Sequence, residues 1–408
     1  MPIRPRTISP GPRRIGAAAL IVACVALAAG CGGDDPDVSP VSGEERFEIE
    51  AGGLAPLLVT SRQPAVPFKG SNGRFIAAYE LQLFNATPLT LTPTRVEILD
   101  PDGAVIETLS ADEVAAALAL PSVRSDVEEL GEGQLGTLYL NPEFNDLGDV
   151  PDVLEHEITV EADGLPPGGV TSAPAPVDVN KELRVPVVGP PVAADSCCGS
   201  IRHRRALLPI DNGQFLSQRL AVDWEQLDVS GRTVREGGDR SDAADYTIYG
   251  KQAIAATDGT VVTVIDDLPE QVPGALPDSI TLPEADGNSV IVDIGNGLFM
   301  AYAHMQAGSI EVEVGDGVKR GDAIGLIGNS GNTSAPHLHF HVMDGPSALG
   351  SEGVPYVIES FETTGKIPST EVFDSLENTD EEIPVVPSES DGSNVDELPL
   401  DQTIVTFR

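Results

Sequence analysis

The chain has little positive charge. Lys and Arg together number 24 against 64 Asp and Glu, which gives a formal net charge of −40 over 408 residues and a pI of about 4.2. This balance excludes a basic patch that could bind nucleic acid or an anionic bilayer, so we expect no nucleic-acid partner. The length favours two or three domains over one, because single hydrophobic cores stop growing at roughly 250–300 residues.

Cysteine and aromatic residues are also scarce. Aromatic residues make up 4% of the chain, and the four cysteines are Cys24, Cys31, Cys197 and Cys198. The first two lie near the N-terminus, and one adjacent pair cannot form a disulfide framework in a chain of this length. A vicinal disulfide, or two unpaired structural thiols, is therefore the default expectation for Cys197 and Cys198. Gly (42) and Pro (34) are abundant instead, which favours a turn-rich, all-β chain.

The N-terminus also lacks a long hydrophobic run. Residues 1–30 contain basic residues but no acid, and their apolar run, Ile15 to Gly30, is too short for an ordinary membrane-spanning helix. The segment LAAG before Cys31 resembles a bacterial lipobox, which implies a lipoprotein signal peptide over residues 1–30 and a membrane lipid anchor on Cys31. Plain secretion or an uncleaved anchor are the alternatives. We therefore expect an exported protein of the cell envelope, in the periplasm or at the cell surface, with residues 31–44 as a flexible tether.

Short segments of alternating polarity, such as FIAAYELQLF, run from residue 45 to about residue 190. They predict an N-terminal immunoglobulin-like β-sandwich over residues 45–190, interrupted by one helix whose capping box is Ser110 and Glu113. The sequence of this half contains no catalytic cluster, and His156 alternates with apolar residues, so we expect its side chain to be packed. The expected role of the domain is spacing or contact with an envelope protein partner.

A Pro-rich stretch, VPVVGPPVAAD (185–195), predicts a linker to a second β domain over residues 196–365. Short strands and glycine turns, as in SIEVEVGDGVKRGDAIGLIG, indicate a compact antiparallel β domain. The last residues, 366–408, are acidic and are expected to form a mobile tail, whose end, QTIVTF, could add one edge strand.

Five of the six histidines lie in this second domain. In the segment PHLHFHV the side chains of a strand alternate, so His337, His339 and His341 share one face. Imidazoles two residues apart on a strand suit one metal centre, with one imidazole as a ligand and a neighbour aimed at the metal-bound water. Upstream, YAHM places His304 on another strand. Tyr302, two residues earlier, is expected on the same face as His304, with core packing as its default role.

The segments GDGVKRGDAIGLIGNSGNTSAPHLHFHV, YAHM and ATDGTVVTVID together resemble the lysostaphin-like, LytM-type zinc metalloendopeptidases of peptidase family M23. The resemblance covers about residues 200–360. It implies the duplicated hybrid motif fold of that family, one zinc ion, and the peptide part of peptidoglycan as substrate. It also implies zinc ligation by Asp223 and His339, with His304 and His337 as the catalytic imidazoles. One of these imidazoles would take the proton of the attacking water, and the other would stabilise the oxyanion.

One position departs from the family pattern. Four residues before Asp223 the family has a zinc-ligand His, whereas this chain has Arg219, whose guanidinium only donates hydrogen bonds and cannot bind zinc. Arg219 could instead pair with Asp223 and occupy the metal position. Three alternatives stay open. His203, or less directly the Cys197–Cys198 pair, supplies the missing ligand; zinc binds weakly through Asp223, His339 and water; or the domain is degenerate and cuts nothing.

The sequence therefore predicts a cell-envelope zinc metalloendopeptidase that hydrolyses peptide bonds of peptidoglycan. The alternative is a non-catalytic protein whose degenerate peptidase-like domain binds the cell wall or activates another wall hydrolase. Metal separates the two hypotheses, because a zinc site that is lost on His339→Ala belongs to the first and not to the second.

Overall fold

A computed structural model describes residues 55–121, 126–172, 175–180, 186–187, 192–198, 202–388 and 392–407. The predicted signal peptide (1–30), the predicted lipidation site Cys31 and the predicted tether (31–44) lie outside the described residues. Within the described ranges, none of the helices has the length and apolar character needed to cross a membrane.

The described residues of the first half form short strands, one helix and one 3-10 turn. Its elements are β1 (Leu57–Ser61), β2 (Val66–Lys69), β3 (Phe75–Asn85), β4 (Thr92–Leu99), β5 (Val105–Leu109), α1 (Ala111–Ala117), β6 (Leu118–Ala119), β7 (Leu135–Leu140), β8 (Glu143–Phe144), the 3-10 turn Leu147–Asp149, β9 (Val153–Glu161), β10 (Val170–Thr171) and β11 (Val177–Asp178). Helix α1 begins where the capping box predicted it, because the Glu113 carboxylate accepts the Ser110 backbone N–H at 2.8 Å.

These strands form two antiparallel sheets. One has the order β1-β3-β7-β6, with β2 and β8 also paired to β3; the other has the order β10-β9-β4-β5, with β11 paired to β9. Side chains of both sheets, among them Leu81 and Ile158, belong to one hydrophobic core. His156 is buried in the same half, as predicted, and bonds the Tyr79 hydroxyl (2.6 Å) and the Ala175 carbonyl (2.8 Å). The immunoglobulin-like topology itself stays a prediction.

The second half contains the remaining strands. They are β12 (Pro186–Val187), β13 (Val192–Ala194), β14 (Leu208–Ile210), β15 (Gly213–Phe215), β16 (Val222–Glu225), β17 (Gln252–Ile254), β18 (Gly259–Ile265), β19 (Asn288–Gly295), β20 (Leu298–Met305), β21 (Gly317–Val318), β22 (Ala323–Leu326), β23 (Leu338–Met343), β24 (Val357–Lys366), β25 (Val386–Pro387), β26 (Ser393–Glu397) and β27 (Thr403–Thr406). Helix α2 spans Thr370–Leu376, and 3-10 turns lie at Ala243–Asp245 and Leu282–Glu284. Helix is thus limited to a few short segments of the described residues, and the prediction of an all-β chain is confirmed.

Most of these strands join one large sheet of order β12-β24-β27-β13-β16-β23-β20-β19-β18-β21, with β25 and β26 also paired to β24. Two hairpin-like pairs, β14-β15 and β17-β22, lie outside it. The hydrophobic core on this sheet contains Trp224, Tyr302 and Phe340, and it also includes Phe68 and Ile76 from the first half of the chain. From Leu54 to the C-terminus the chain forms one compact unit, and the predicted linker contributes β12 and β13 to the sheet.

The expectation of a mobile acidic tail over residues 366–408 is wrong for its described part. Strand β27 lies in the interior of the large sheet, between β24 and β13, and not at its edge. The buried side chains of Gln402, Thr403 and Val405 hold this strand in place. Helix α2 packs Phe373 into a small cluster with Ile367 and Ile383. The apolar residues spaced through the acidic sequence therefore bury enough surface to order it.

Candidate functional site

Three neighbouring strands, β16, β23 and β20, position the site. In the antiparallel pair β16–β23, Asp223 lies directly opposite His339, so their side chains share one face of the sheet. On the other face, Leu338 and Phe340 pack into the hydrophobic core, as the alternation in PHLHFHV predicted. Burying one face against the core thus fixes the register that brings this carboxylate and imidazole together.

His304 reaches the same face by a local departure from regular strand geometry. It has a left-handed backbone (φ 60°), and the pairing of β19 with β20 shifts register between Asn288 and Val290. The expectation that Tyr302 shares its face is therefore wrong. Tyr302 packs its ring on Phe340 in the core, 5.2 Å between centroids, while His304 stacks against His337 at 4.7 Å. The bulged backbone re-aims the imidazole by breaking the two-residue alternation.

The Asp223 carboxylate is the centre of the cluster. Its Oδ1 lies 2.8 Å from Nδ1 of His339 and 3.4 Å from Nε2 of His337, and its Oδ2 lies 3.3 Å from Nε2 of His203. His203 comes from the segment between β13 and β14, far from the histidine motifs in sequence. The ligand atoms of His203, Asp223 and His339 all lie within 4.8 Å of one another.

Backbone carbonyls fix the orientation of three imidazoles. Nδ1 of His203 bonds the Asp195 carbonyl (3.0 Å), Nδ1 of His304 the Ser330 carbonyl (2.7 Å), and Nδ1 of His337 the Ala335 carbonyl (2.8 Å). A carbonyl oxygen can only accept, so in each ring Nδ1 carries the hydrogen and Nε2 is left as the basic nitrogen. In metal-binding histidines, the ring nitrogen that does not bind the metal typically donates such a hydrogen bond.

His341 lies beside His339 in the same cluster. Nδ1 of His339 lies 2.8 Å from Oδ1 of Asp223, the length of a hydrogen bond from the ring N–H to the carboxylate. Nε2 of His339 lies 3.1 Å from Nδ1 of His341, whose own Nε2 lies 3.1 Å from the Ala348 carbonyl oxygen. The sequence placed His341 on the right face but assigned it no role.

Arg219 does not enter this cluster. Its Nε donates to both carboxylate oxygens of Glu80 (3.1 and 2.9 Å), and its terminal nitrogens donate to Glu352 (2.9 Å) and to the Gly353 carbonyl (2.7 Å). The expectation that Arg219 pairs with Asp223 and occupies the metal position is therefore wrong. The nearby acids Glu80 and Glu352 compete for the guanidinium, and its planar fork satisfies both.

The two cysteines also take no part in the cluster. Cys197 and Cys198 are joined in a disulfide, so neither sulfur is a free thiolate, which is the form that binds a metal. Of the candidates for the missing ligand, His203, Cys197 and Cys198, His203 is thus the one that faces Asp223.

The charges of the cluster are interdependent. Burial raises the pKa of Asp223, but the neighbouring His203 and His337 outweigh this effect and hold it well below its usual value. Burial disfavours the charged form of His203, yet Asp223 outweighs burial and raises the pKa of His203 to about 9. Burial lowers the pKa of His304 to about 3 and that of His339 well below its usual value. Without a metal, the carboxylate is therefore compensated by protonated imidazole.

The cluster opens into a cleft of about 390 Å³. Besides the predicted residues, the cleft wall includes polar residues that the sequence did not identify, among them Gln218, Asp286 and Asn332. Gln218 lies 3.4 Å from Nε2 of His339 through its side-chain nitrogen. Asp286 follows the 3-10 turn before β19, and its backbone carbonyl accepts the His304 N–H at 2.9 Å. No spacing rule in the sequence connects Asp286 to the histidine motifs, because the contact depends on the turn that brings β19 beside β20.

Residues 241–350 match the family model described as peptidase family M23. The matched stretch contains His304, His337 and His339, but it begins after His203, Arg219 and Asp223. The family resemblance predicted from the histidine motifs is confirmed for this stretch.

Relatives of known identity are similar over parts of the chain. The peptidoglycan DD-endopeptidase ShyA of Vibrio cholerae serotype O1 is 40% identical over 57 residues, which is 14% of this chain and 13% of that protein. The catalytic domain of the antimicrobial peptidase lysostaphin from Staphylococcus simulans is 21% identical, covering 40% of this chain and 84% of that structure, with a TM-score of 0.22. A zinc containing peptidase from Vibrio cholerae is 13% identical, covering 69% of this chain and 80% of that structure, with a TM-score of 0.20.

Proposed function

Because residues 241–350 are a domain of peptidase family M23, we propose that the protein is a zinc-dependent endopeptidase that hydrolyses peptide bonds of peptidoglycan. One observation carries the proposal: a single carboxylate, Asp223, lies within 3.4 Å of three imidazole nitrogens in an open cleft. The catalytic imidazoles of the proposal are His304 and His337. The ligands are Asp223, His339 and His203, with His203 replacing the ligand that Arg219 cannot supply.

The donor set suits zinc. Two nitrogens and one carboxylate oxygen, with one position left open, are typical of catalytic zinc sites. Ligand atoms of a tetrahedral zinc at about 2.1 Å lie about 3.4 Å apart, close to the 3.3 Å between His203 Nε2 and Asp223 Oδ2. The 2.8 Å between His339 Nδ1 and Asp223 Oδ1 is shorter, and a bound zinc would take the place of the proton that these two atoms share.

When bound, zinc would lower the pKa of its water and polarise the scissile carbonyl. The chain's own groups supply the proton transfers. His304 donates its Nδ1 hydrogen to the Ser330 carbonyl, which leaves its Nε2 to accept the proton of the attacking water. Burial opposes the charge of His337, but Asp223 outweighs burial and raises its pKa, so His337 is suited to donate a hydrogen bond to the oxyanion. The carbonyls of Ser330 and Ala335 hold the rings of His304 and His337 in place, and the Asp195 carbonyl holds that of His203.

The test measures zinc content and activity together. Purified protein should contain about one zinc per chain by elemental analysis and should cleave purified peptidoglycan fragments, with new termini detected by mass spectrometry. His203→Ala and His339→Ala should each weaken zinc binding by more than about 100-fold and abolish cleavage. His156→Gln is the matched control, because His156 lies in the first half of the chain. Full zinc content and full cleavage in His203→Ala would contradict the assignment of His203, and the absence of both zinc and cleavage in the unmutated protein would contradict the proposed function.

We also propose that the protein is exported and held in the cell envelope by lipid on Cys31. The lipobox-like segment before Cys31 supports this proposal. Cys31→Ala should move the protein from the membrane fraction to the soluble fraction, while Cys24→Ala should leave it in the membrane. Unchanged membrane association of the Cys31→Ala protein would contradict lipidation at that residue.

A further inference from the structure

The Asp286 carboxyl lies in the wall of the catalytic cleft without a partner. The residue is 9% exposed, and among the described residues its side chain makes no hydrogen bond or ion pair. A buried carboxylate without a partner is costly, so its persistence in a cleft points to a ligand that completes it. Its backbone carbonyl accepts the His304 N–H at 2.9 Å, which fixes Asp286 beside a catalytic imidazole.

Two further polar side chains line the same cleft from the loop before β23. Asn332 and Ser334 make no side-chain hydrogen bond within the described part of the chain. The backbone N–H of Asn332 donates to the Ala285 carbonyl at 2.8 Å, which ties this loop to the segment of Asp286. Gly287 permits the close approach, because it has a φ of 62° and a Cβ there would lie 2.2 Å from the Ser330 carbonyl oxygen.

The arginine that lines the cleft does not bond Asp286. Arg202 is the arginine that lines the cleft, and its guanidinium bonds Asp195 and Asp374 at 2.6 Å each. Burial raises the pKa of the Asp286 carboxyl to about 7, because no opposite charge offsets its burial. A cation that enters the cleft would supply that charge.

We propose that Asp286, Asn332 and Ser334 form a subsite that binds a primary ammonium group of the peptide substrate beside the scissile bond. An ammonium has three N–H donors and no acceptor, and this wall offers a carboxylate, an amide oxygen and a hydroxyl oxygen as acceptors. The inference rests on the proposed peptidase function and adds to it the class of substrate that the site selects, a peptide with a free amine near the cleaved bond.

The experiment compares two substrates that differ in one charge. A synthetic cross-linked stem peptide with one free side-chain amine, and the same peptide acetylated on that amine, are cleaved by the zinc-loaded full protein. The ratio of kcat/KM for the free amine over the acetylated peptide should be at least about tenfold, because a charge-assisted hydrogen bond contributes roughly 1.5–3 kcal/mol. In Asp286→Asn this ratio should fall to about one, while Glu311→Gln, which removes an exposed carboxylate outside the cleft, should keep the unmutated ratio.

Two results would overturn the subsite: equal cleavage of both peptides by the unmutated protein, or an unchanged ratio in Asp286→Asn. Calorimetric binding of the two peptides separates this inference from the peptidase function. If neither peptide is cleaved, the proposed function fails, and tighter binding of the free amine that is lost in Asp286→Asn still supports the subsite. Equal binding of the two peptides in that case overturns both.

Discussion

At the scale of single residues, Arg219 is the least expected feature of the site. It stands at a position where a zinc ligand was expected, yet its guanidinium is buried and fully bonded to Glu80, Glu352 and the Gly353 carbonyl. Arg219→His should therefore not improve zinc binding. It should lower the free energy of unfolding of the zinc-free protein by about 3–5 kcal/mol, because it leaves the fully buried Glu80 short of a counter-charge.

Urea denaturation and zinc titration of the same variant check this prediction. Arg95→His is the control, since Arg95 makes an exposed pair with Glu97, and exposed pairs contribute little to stability. Tighter zinc binding by Arg219→His with unchanged stability would show that the arginine only replaces a ligand.

His156 predicts a dependence of stability on pH. Burial lowers its pKa to about 4, from an ordinary value of 6.5. As the pH falls from 6.5 to 4, the unfolded chain therefore takes up a proton that the folded chain does not, and the free energy of unfolding falls by about 3 kcal/mol. Below pH 4 both states are protonated and this loss stops. Urea denaturation at several pH values, compared with His156→Gln, isolates the effect, and parallel curves for the two proteins would contradict it.

The sequence was sufficient for the residues whose neighbours follow from strand alternation. His337, His339 and Asp223 lie together because the motif and the register of β16 with β23 place them so. It was insufficient for Arg219 and His203. Their partners depend on contacts between distant segments, as with Arg219 and Glu80, which are 139 residues apart in sequence. The Asp286 carboxyl could not be predicted for the same reason.

At the scale of elements, the segment 202–205 links the site to the first half of the chain. His203 points to Asp223, while its neighbour Arg204 donates to the Tyr79 and Leu140 carbonyls and lies 3.2 Å from Glu80. Glu80 on β3 also binds Arg219 at 2.8 Å. Strand β3 thus holds the backbone that presents His203. This role differs from the spacing or partner contact that the sequence predicted for the first half of the chain.

Glu80→Gln should accordingly weaken zinc binding without changing any of the proposed zinc ligands. We expect a loss of about tenfold or more, as for other residues that orient metal ligands, together with lower stability. Because the folded fraction also changes, the readout is the visible absorption spectrum of the cobalt-substituted protein at a temperature where circular dichroism shows it folded. Glu97→Gln, in the exposed pair with Arg95, is the control. An unaltered cobalt spectrum and zinc affinity in Glu80→Gln would mean that β3 does not position His203.

Element geometry also limits what alternation can predict. Side chains alternate between the two faces of the sheet along β23, where Leu338 and Phe340 face the core. This alternation fails at His304, where a left-handed residue ends the regular part of β20. Nothing in YAHM signals this bulge. Glycines such as Gly287 let facing loops approach each other. From the sequence they predict a turn, but not which loop will lie against it.

At the scale of the whole molecule, composition predicted the all-β class but not how the parts join. The sequence suggested a separate sandwich, a linker and a mobile tail, because Pro-rich and acidic stretches are typical of such segments. In the structure, β13 and β27 are neighbours inside the large sheet, and Phe68 and Ile76 of the first half pack into the second core. Local composition cannot report such pairing, because each strand gains its stability from partners far away in sequence.

This joint core predicts that the second half cannot function alone. A fragment that begins at residue 192 would expose the core surface covered by Phe68 and Ile76 and would leave Arg204 and Arg219 buried or half-buried without Glu80. Removing one partner of a buried ion pair costs about 3–5 kcal/mol, a large part of the stability of a typical domain. The fragment should therefore be poorly folded by circular dichroism and bind zinc weakly. Adding a second fragment, residues 45–190, should restore both properties, whereas a stable, zinc-binding fragment on its own would show that the two halves are independent.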